Sequence, residues 1–133
     1  MKTIKSILAV VFFTLIMAGS AFAQSDAKVI AVINKADWCG TCVKNGERAM
    51  MTMMKSNKDG NVHFIKNDLT NDETKKKSMA VLKEFGFDEI LSEYKGTGMV
   101  YFFDRESRKL ISKISVAKSN DKLIEAVKMV SKM

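Results

Sequence analysis

No proline occurs anywhere in the 133 residues, and the chain holds only two cysteines, one histidine and one tryptophan. Each scarcity closes off a class. Without proline there is no prolyl isomerisation, the usual source of refolding phases lasting roughly 10–100 s at 25 °C. Refolding with the cysteine pair kept oxidised is therefore expected to lack such a phase. Manual-mixing fluorescence checks this, and a phase with an activation energy of about 20 kcal/mol contradicts it.

Two cysteines and one histidine fall short of the four ligands that structural zinc takes. No second C-x-x-C or H-x-H accompanies His63, which lies between Val62 and Phe64 and reads as an ordinary strand residue. Covalent haem is excluded because Val43, not histidine, follows Cys42. No metal is expected. The disulfide framework of a small secreted domain is excluded too, since a bridge between Cys39 and Cys42 closes a loop of only four residues. The chain-entropy model assigns such a loop about 2 kcal/mol, little for a structural staple.

Long apolar runs are confined to the first residues. "MKTIKSILAVVFFTLIMAGSAFA" has a basic start at Lys2 and Lys5, an apolar stretch from Ile7 to Met17 that is short for a spanning helix, and an Ala21-Phe22-Ala23 ending. That is the pattern of a secretory signal peptide over residues 1–23, with Gln24 as the first mature residue; an uncleaved anchor is the alternative. No cysteine near the cleavage site suggests a lipoprotein. The expected location is extracytoplasmic, periplasmic or secreted.

Residues 24–133, about 110 in all, are enough for one core, so one domain is expected. Without Lys2 and Lys5 the 22 basic residues fall to 20 against 15 acidic ones, a net charge of +5. The one basic run, Lys75 to Lys77, reads as a solvated helix face, so no nucleic-acid partner is expected.

"KVIAVIN" (28–34) is a β-branched apolar run, the pattern of a strand buried on both faces. From Gly40, residues Val43, Met50, Met53, Met54 and Asn57 fall at helical spacing, and "NKDG" ends that helix. The methionines of "AMMTMM" (49–54) read as core filler, with a soft-metal or peptide groove as the alternative. "NVHFIKND" (61–68) predicts a second strand, and "TNDE" (70–73) a capping box opening a helix with Met79, Leu82 and Phe85 on one side, stopped by Gly86. "FDEILSEY" (87–94) predicts a helical turn or two with Ile90, Leu91 and Tyr94 inward. "MVYFFD" (99–104) and "KLISKISV" (109–116) flank "RESR" as a hairpin. Ser119 is the expected N-cap of a last helix with Leu123, Ile124, Val127 and Val130 in a stripe. The predicted class is α/β, ordered βαβαββα, with a four-stranded mixed sheet flanked by helices.

The cysteines thus fall at a helix N-terminus. There the first sulfur meets unpaired N–H groups and the positive end of the helix dipole, which favours the Cys39 thiolate. The helix start is expected to leave the Cys39 sulfur exposed, with Cys42, one turn deeper, shielded and close enough to attack a mixed disulfide formed at Cys39. Trp38 beside Cys39 reads either as a core aromatic or as a substrate-facing one. Lys35 and Asp37 act on the thiolate in opposite senses.

"WCGTC" resembles the WCGPC of thioredoxins, and it sits, as theirs does, between an apolar strand and a helix. The element order over about residues 28–131 is similar to the core thioredoxin fold. The resemblance implies a protein disulfide oxidoreductase with Cys39 and Cys42 as its catalytic pair and redox-active disulfide. It needs no other cofactor, takes protein thiols or disulfides as substrates, is reset by a membrane or periplasmic redox partner, and acts as a monomer. It implies substrate contacts at Trp38, Gly40, Thr41, Thr97 and Gly98, and a supporting lysine at Lys66 in "HFIKNDLT".

Three departures matter. Thr41 replaces the proline between the cysteines, Ile33 stands where thioredoxins hold a buried aspartate that assists proton transfer, and Gly98 occupies the place of a cis-proline. A cis bond outside X–Pro costs about 2.5–4 kcal/mol, so Thr97–Gly98 is expected to be trans. A thioredoxin-fold binding module with little redox turnover is the alternative function, and a copper or other metal carrier a weaker third for want of histidine.

Overall fold

The structure, a computed structural model, describes residues 26–133; the signal-peptide expectation lies outside the described residues. Elements follow the expected order: β1 (Val29–Lys35), α1 (Gly40–Ser56), β2 (Val62–Asp68), α2 (Asp72–Glu84), a 3₁₀ turn (Ile90–Glu93), β3 (Met99–Asp104), β4 (Leu110–Ser115) and α3 (Asn120–Ser131). The sheet order is β2-β1-β3-β4. β1 runs parallel to β2 and antiparallel to β3, and β4 returns antiparallel to β3.

The central position of β1 explains its unbroken apolar run, because both of its faces are covered. Val29, Ala31 and Ile33 point to one face, where Ala49 and Met53 of α1 and Leu123, Val127 and Val130 of α3 close the core with Phe102. Ile30 and Val32 point to the other, against Ile65, Leu82, Phe87, Leu91, Tyr101 and Phe103. Strand alternation thus divides one sheet between two cores. Its polar end, Asn34, is fully buried.

Several local expectations are corrected by packing. The capping box opening α2 is formed by Asn71 and Thr74: Asn71 Oδ1 accepts the Thr74 N–H at 2.9 Å and Thr74 Oγ1 accepts the Asn71 N–H at 3.0 Å. Thr70 is engaged elsewhere, and Glu73 pairs with Lys77 on the surface. Met79 is 43% exposed, because the inner face of α2 is formed by Ser78 and Leu82. Phe85 is half-buried and stacks on His63, whose pKa is lowered by burial and by nearby Arg105. The segment after Gly86 makes only a 3₁₀ turn, with Leu91 buried and Ile90 and Tyr94 packed beside it. In α1, Val43, Met51 and Met54 are exposed, and of the four methionines of 49–54 only Met53 is fully buried, with Met50 packed partly buried beside it, so half of the cluster is not core filler. In α3, Ile124 is half-buried and Ala126 completes the inner stripe. Ser119 caps α3 as expected, accepting the Lys122 N–H.

Candidate active site

The carboxyl end of β1 carries the chain through Ala36, Asp37 and Trp38 into α1. Cys39 is the N-cap residue: its backbone is extended, its carbonyl accepts the Val43 N–H at 3.0 Å, and its Sγ accepts the Cys42 N–H at 3.2 Å. A sulfur here does what serine or aspartate does at other helix starts. No acidic residue occupies the first turn of α1, so nothing neutralises the positive end of the helix beside Cys39. Cys39 and Cys42 are joined in a disulfide with their Cα atoms 5.2 Å apart.

The second sulfur has different company. Cys42 Sγ lies 3.9 Å from the Asn34 carbonyl oxygen, an acceptor that favours a protonated thiol over a thiolate in the reduced state. The same carbonyl accepts the Gly98 N–H at 2.8 Å. Asn34 also uses its buried side chain: Nδ2 donates to the Tyr94 carbonyl at 2.7 Å and Oδ1 accepts from Asn67 Nδ2 at 2.9 Å. One residue thereby ties the end of β1 to β2 and to the loop before β3. Sequence reasoning missed it; the available signal was a lone amide closing an apolar run, since a polar group carried into a core requires partners there.

Gly98 faces the cysteines. It has φ +74°, a conformation costly for residues with a side chain, and a Cβ placed there would lie 3.3 Å from Thr41 Cγ2 and 3.7 Å from Cys39 Sγ. Every described peptide bond is trans, Thr97–Gly98 included. Thr41 and Gly40 are exposed, and Thr97 is half-buried beside Gly98.

Trp38 is 65% exposed, so it is not a core aromatic. Its Nε1 donates to the Thr70 carbonyl at 3.2 Å, which orients the ring on the surface beside Cys39. Thr70 is itself fixed: its Oγ1 accepts the Asp37 N–H at 3.0 Å, and its hydroxyl and N–H both donate to Asp68 Oδ1. The Thr70 hydroxyl is the chief cause holding the Asp68 carboxyl below the usual carboxylate range, with Lys35 assisting. Lys35 Nζ lies 3.5 Å from both Asp37 and Asp68, so its charge is shared between two carboxylates.

The structure therefore brings Cys39, Cys42, Thr41 and Gly98 together, with Trp38 and Gly40 at the rim. Lys66 is not among them. It is exposed on β2, in register with Ile33, and reaches Cys42 only across a groove of about 500 Å³ beside α1. Ile33 is packed in the core and offers no proton acceptor. Among the described residues, no group of three or more histidines, cysteines or carboxylates is arranged to hold a metal.

No protein-family model matches this sequence, and no curated protein matches it. Solved structures do. Trxlp from Edwardsiella tarda EIB202 is 18% identical, with 85% of this chain and 94% of that one covered at a TM-score of 0.50. The thioredoxin Mala s 13 from Malassezia sympodialis is 20% identical, with 80% of each chain covered at a TM-score of 0.47. Identities this low carry the architecture and nothing finer, and the first of the two is the match that supports it. The chain has a thioredoxin-like α/β fold, a four-stranded mixed sheet with three α-helices, and a C-x-x-C disulfide at the start of its first helix.

Proposed function

We propose that this protein is an extracytoplasmic thiol–disulfide oxidoreductase that exchanges its Cys39–Cys42 pair with protein substrates. The observation that carries the reading is the asymmetry of the two sulfurs, one accepting a helix N–H and the other set against a carbonyl. In the reducing direction the Cys39 thiolate attacks one sulfur of a client disulfide, forming Cys39–S–S–client and releasing the other client sulfur as thiolate. Cys42 then attacks Cys39 Sγ, the bond to the client breaks, and the client leaves doubly reduced while the pair is oxidised. Run backwards, the same steps donate a disulfide. No further cofactor is needed; a membrane or periplasmic redox partner resets the pair, and the protein acts as a monomer. The signal-peptide pattern of residues 1–23 supports a location outside the cytosol, where disulfides persist.

The client backbone lies along Thr97 and Gly98, with Trp38, Gly40 and Thr41 forming the opposite rim. Turnover of a model protein disulfide by the full chain, beside that of a small disulfide reagent, tests this. Gly98→Trp is expected to slow the protein substrate at least tenfold, about 1.4 kcal/mol of transition-state binding, with much less effect on the small reagent. The left-handed backbone at Gly98 adds roughly 1–2 kcal/mol of strain, so thermal melts must show that the variant is folded at the assay temperature. A folded variant with unchanged protein-disulfide exchange removes Gly98 from the substrate face. A wild-type chain that turns over neither substrate is instead a binding module.

A further inference from the structure

Asn34 and Asn67 lie side by side in the register of β1 and β2, and both are buried, Asn34 completely. Stability alone does not call for them. Replacing both members of a buried hydrogen-bonded pair by apolar groups of similar shape can be nearly neutral, so an apolar pair would serve this core about as well. What sets the pair apart is where the Asn34 peptide group lies.

Asn34 clamps the loop before β3 at both ends: its Nδ2 donates to the Tyr94 carbonyl at 2.7 Å, and its own carbonyl accepts the Gly98 N–H at 2.8 Å. Asn67 Nδ2 donates to Asn34 Oδ1 at 2.9 Å and fixes the side chain from the β2 side. The carbonyl held in this way lies 3.9 Å from Cys42 Sγ. In the disulfide that sulfur carries no hydrogen, and no hydrogen bond forms across the contact.

Reduction changes this. Two equivalents of a monothiol break the Cys39–Cys42 bond and leave joined as their own disulfide; one of their protons stays on Cys42, and the other stays on Cys39 or passes to solvent. The new Cys42 S–H then donates to the second lone pair of the Asn34 carbonyl, beside the Gly98 N–H. A bond present in the dithiol and absent from the disulfide draws the equilibrium toward the dithiol, which makes the pair a stronger oxidant.

We infer that Asn34 is a positioning residue for the redox equilibrium: its amide network with Asn67 and Tyr94 holds the carbonyl against Cys42 and biases the pair toward donating its disulfide. This rests on the exchange reading above and adds to it the direction in which exchange is favoured.

Equilibration of the full chain with glutathione redox buffers, read as the mass of the protein after alkylation, tests it. Asn34→Leu is expected to move the equilibrium about tenfold toward the protein disulfide, about 30 mV for this two-electron couple. Asn34→Leu with Asn67→Leu should regain stability yet keep the shift, because two leucines repack without holding the peptide; it also gives the answer if the single variant melts below the assay temperature. A purely structural role weakens the oxidised and reduced protein alike and leaves the equilibrium where it was. The infrared S–H band supplies a direct readout in reduced Cys39→Ser, whose one remaining thiol is Cys42. Adding Asn34→Leu should raise its frequency as the bond to the carbonyl weakens. A glutathione equilibrium within about twofold of wild type in the folded double variant, or an S–H band that does not move, overturns the inference. A wild-type pair that equilibrates with glutathione but exchanges with no protein disulfide overturns the exchange reading instead.

Discussion

Cys42→Ser should accumulate covalent adducts with client proteins through Cys39, whereas Cys39→Ser should trap none and lose protein-disulfide exchange by about a thousandfold or more, roughly 4 kcal/mol in barrier. The expectation follows from charge rather than access. Both cysteines are 8% exposed in the disulfide form, so exposure does not rank them. Their hydrogen-bonding groups do: Cys39 Sγ accepts a backbone N–H at the positive end of α1, and Cys42 Sγ lies against the Asn34 carbonyl. The first arrangement stabilises a thiolate and the second a thiol. In the reduced protein, Cys39 should alkylate first and titrate below the free-thiol value of about 8.5. Each pKa unit separating the sulfurs corresponds to about 1.4 kcal/mol. Equal alkylation rates at pH 7 would falsify the assignment of attacking and resolving sulfurs.

A second large effect is expected far from the reacting atoms in sequence. Asn34→Leu keeps the backbone carbonyl but leaves the Tyr94 carbonyl and the Asn67 amide without the partner they share. The Asn67 amide is buried and the Tyr94 carbonyl partly so; at about 1–2 kcal/mol for each orphaned group, in the lower part of the usual range, the variant should lose roughly 2–4 kcal/mol. At about 4–8 °C per kcal/mol for a domain of this size, Tm should fall on the order of 10–25 °C. Replacing both amides, as in Asn34→Leu with Asn67→Leu, removes acceptor and donor together and should recover part of the loss. Calorimetry of the single and double variants checks this. A single variant melting within about 3 °C of wild type means that the amide pair does not hold the loops. The Asn34 bonds also anchor the segment ending at Gly98, so the loosened variant should expose Cys42 to faster alkylation in the reduced state.

By itself, the sequence determined the elements and the kind of chemistry. A β-branched run predicts the central strand, since covering a strand on both faces requires such a run. Helical spacing and cap residues set α1 and α3 to within a residue or two. The dithiol was legible because its two cysteines are three residues apart and the helix start beside them is a local feature; one turn of helix brings them together whatever the rest of the chain does.

Only the tertiary structure decided what surrounds the pair. Trp38 is oriented by Thr70, Asn34 is held by Asn67 and Tyr94, and Gly98 faces Thr41 and Cys39, in each case from residues 30 or more positions away. Periodicity also misplaced Met54 and Met79. A helical stripe shows which residues share a face, whereas burial depends on how far the neighbouring element extends over it, and no neighbour covers those two. The open groove beside Cys42 has the same origin: it exists because α1 presents a glycine and exposed methionines along the flank that faces the sheet edge at Lys66.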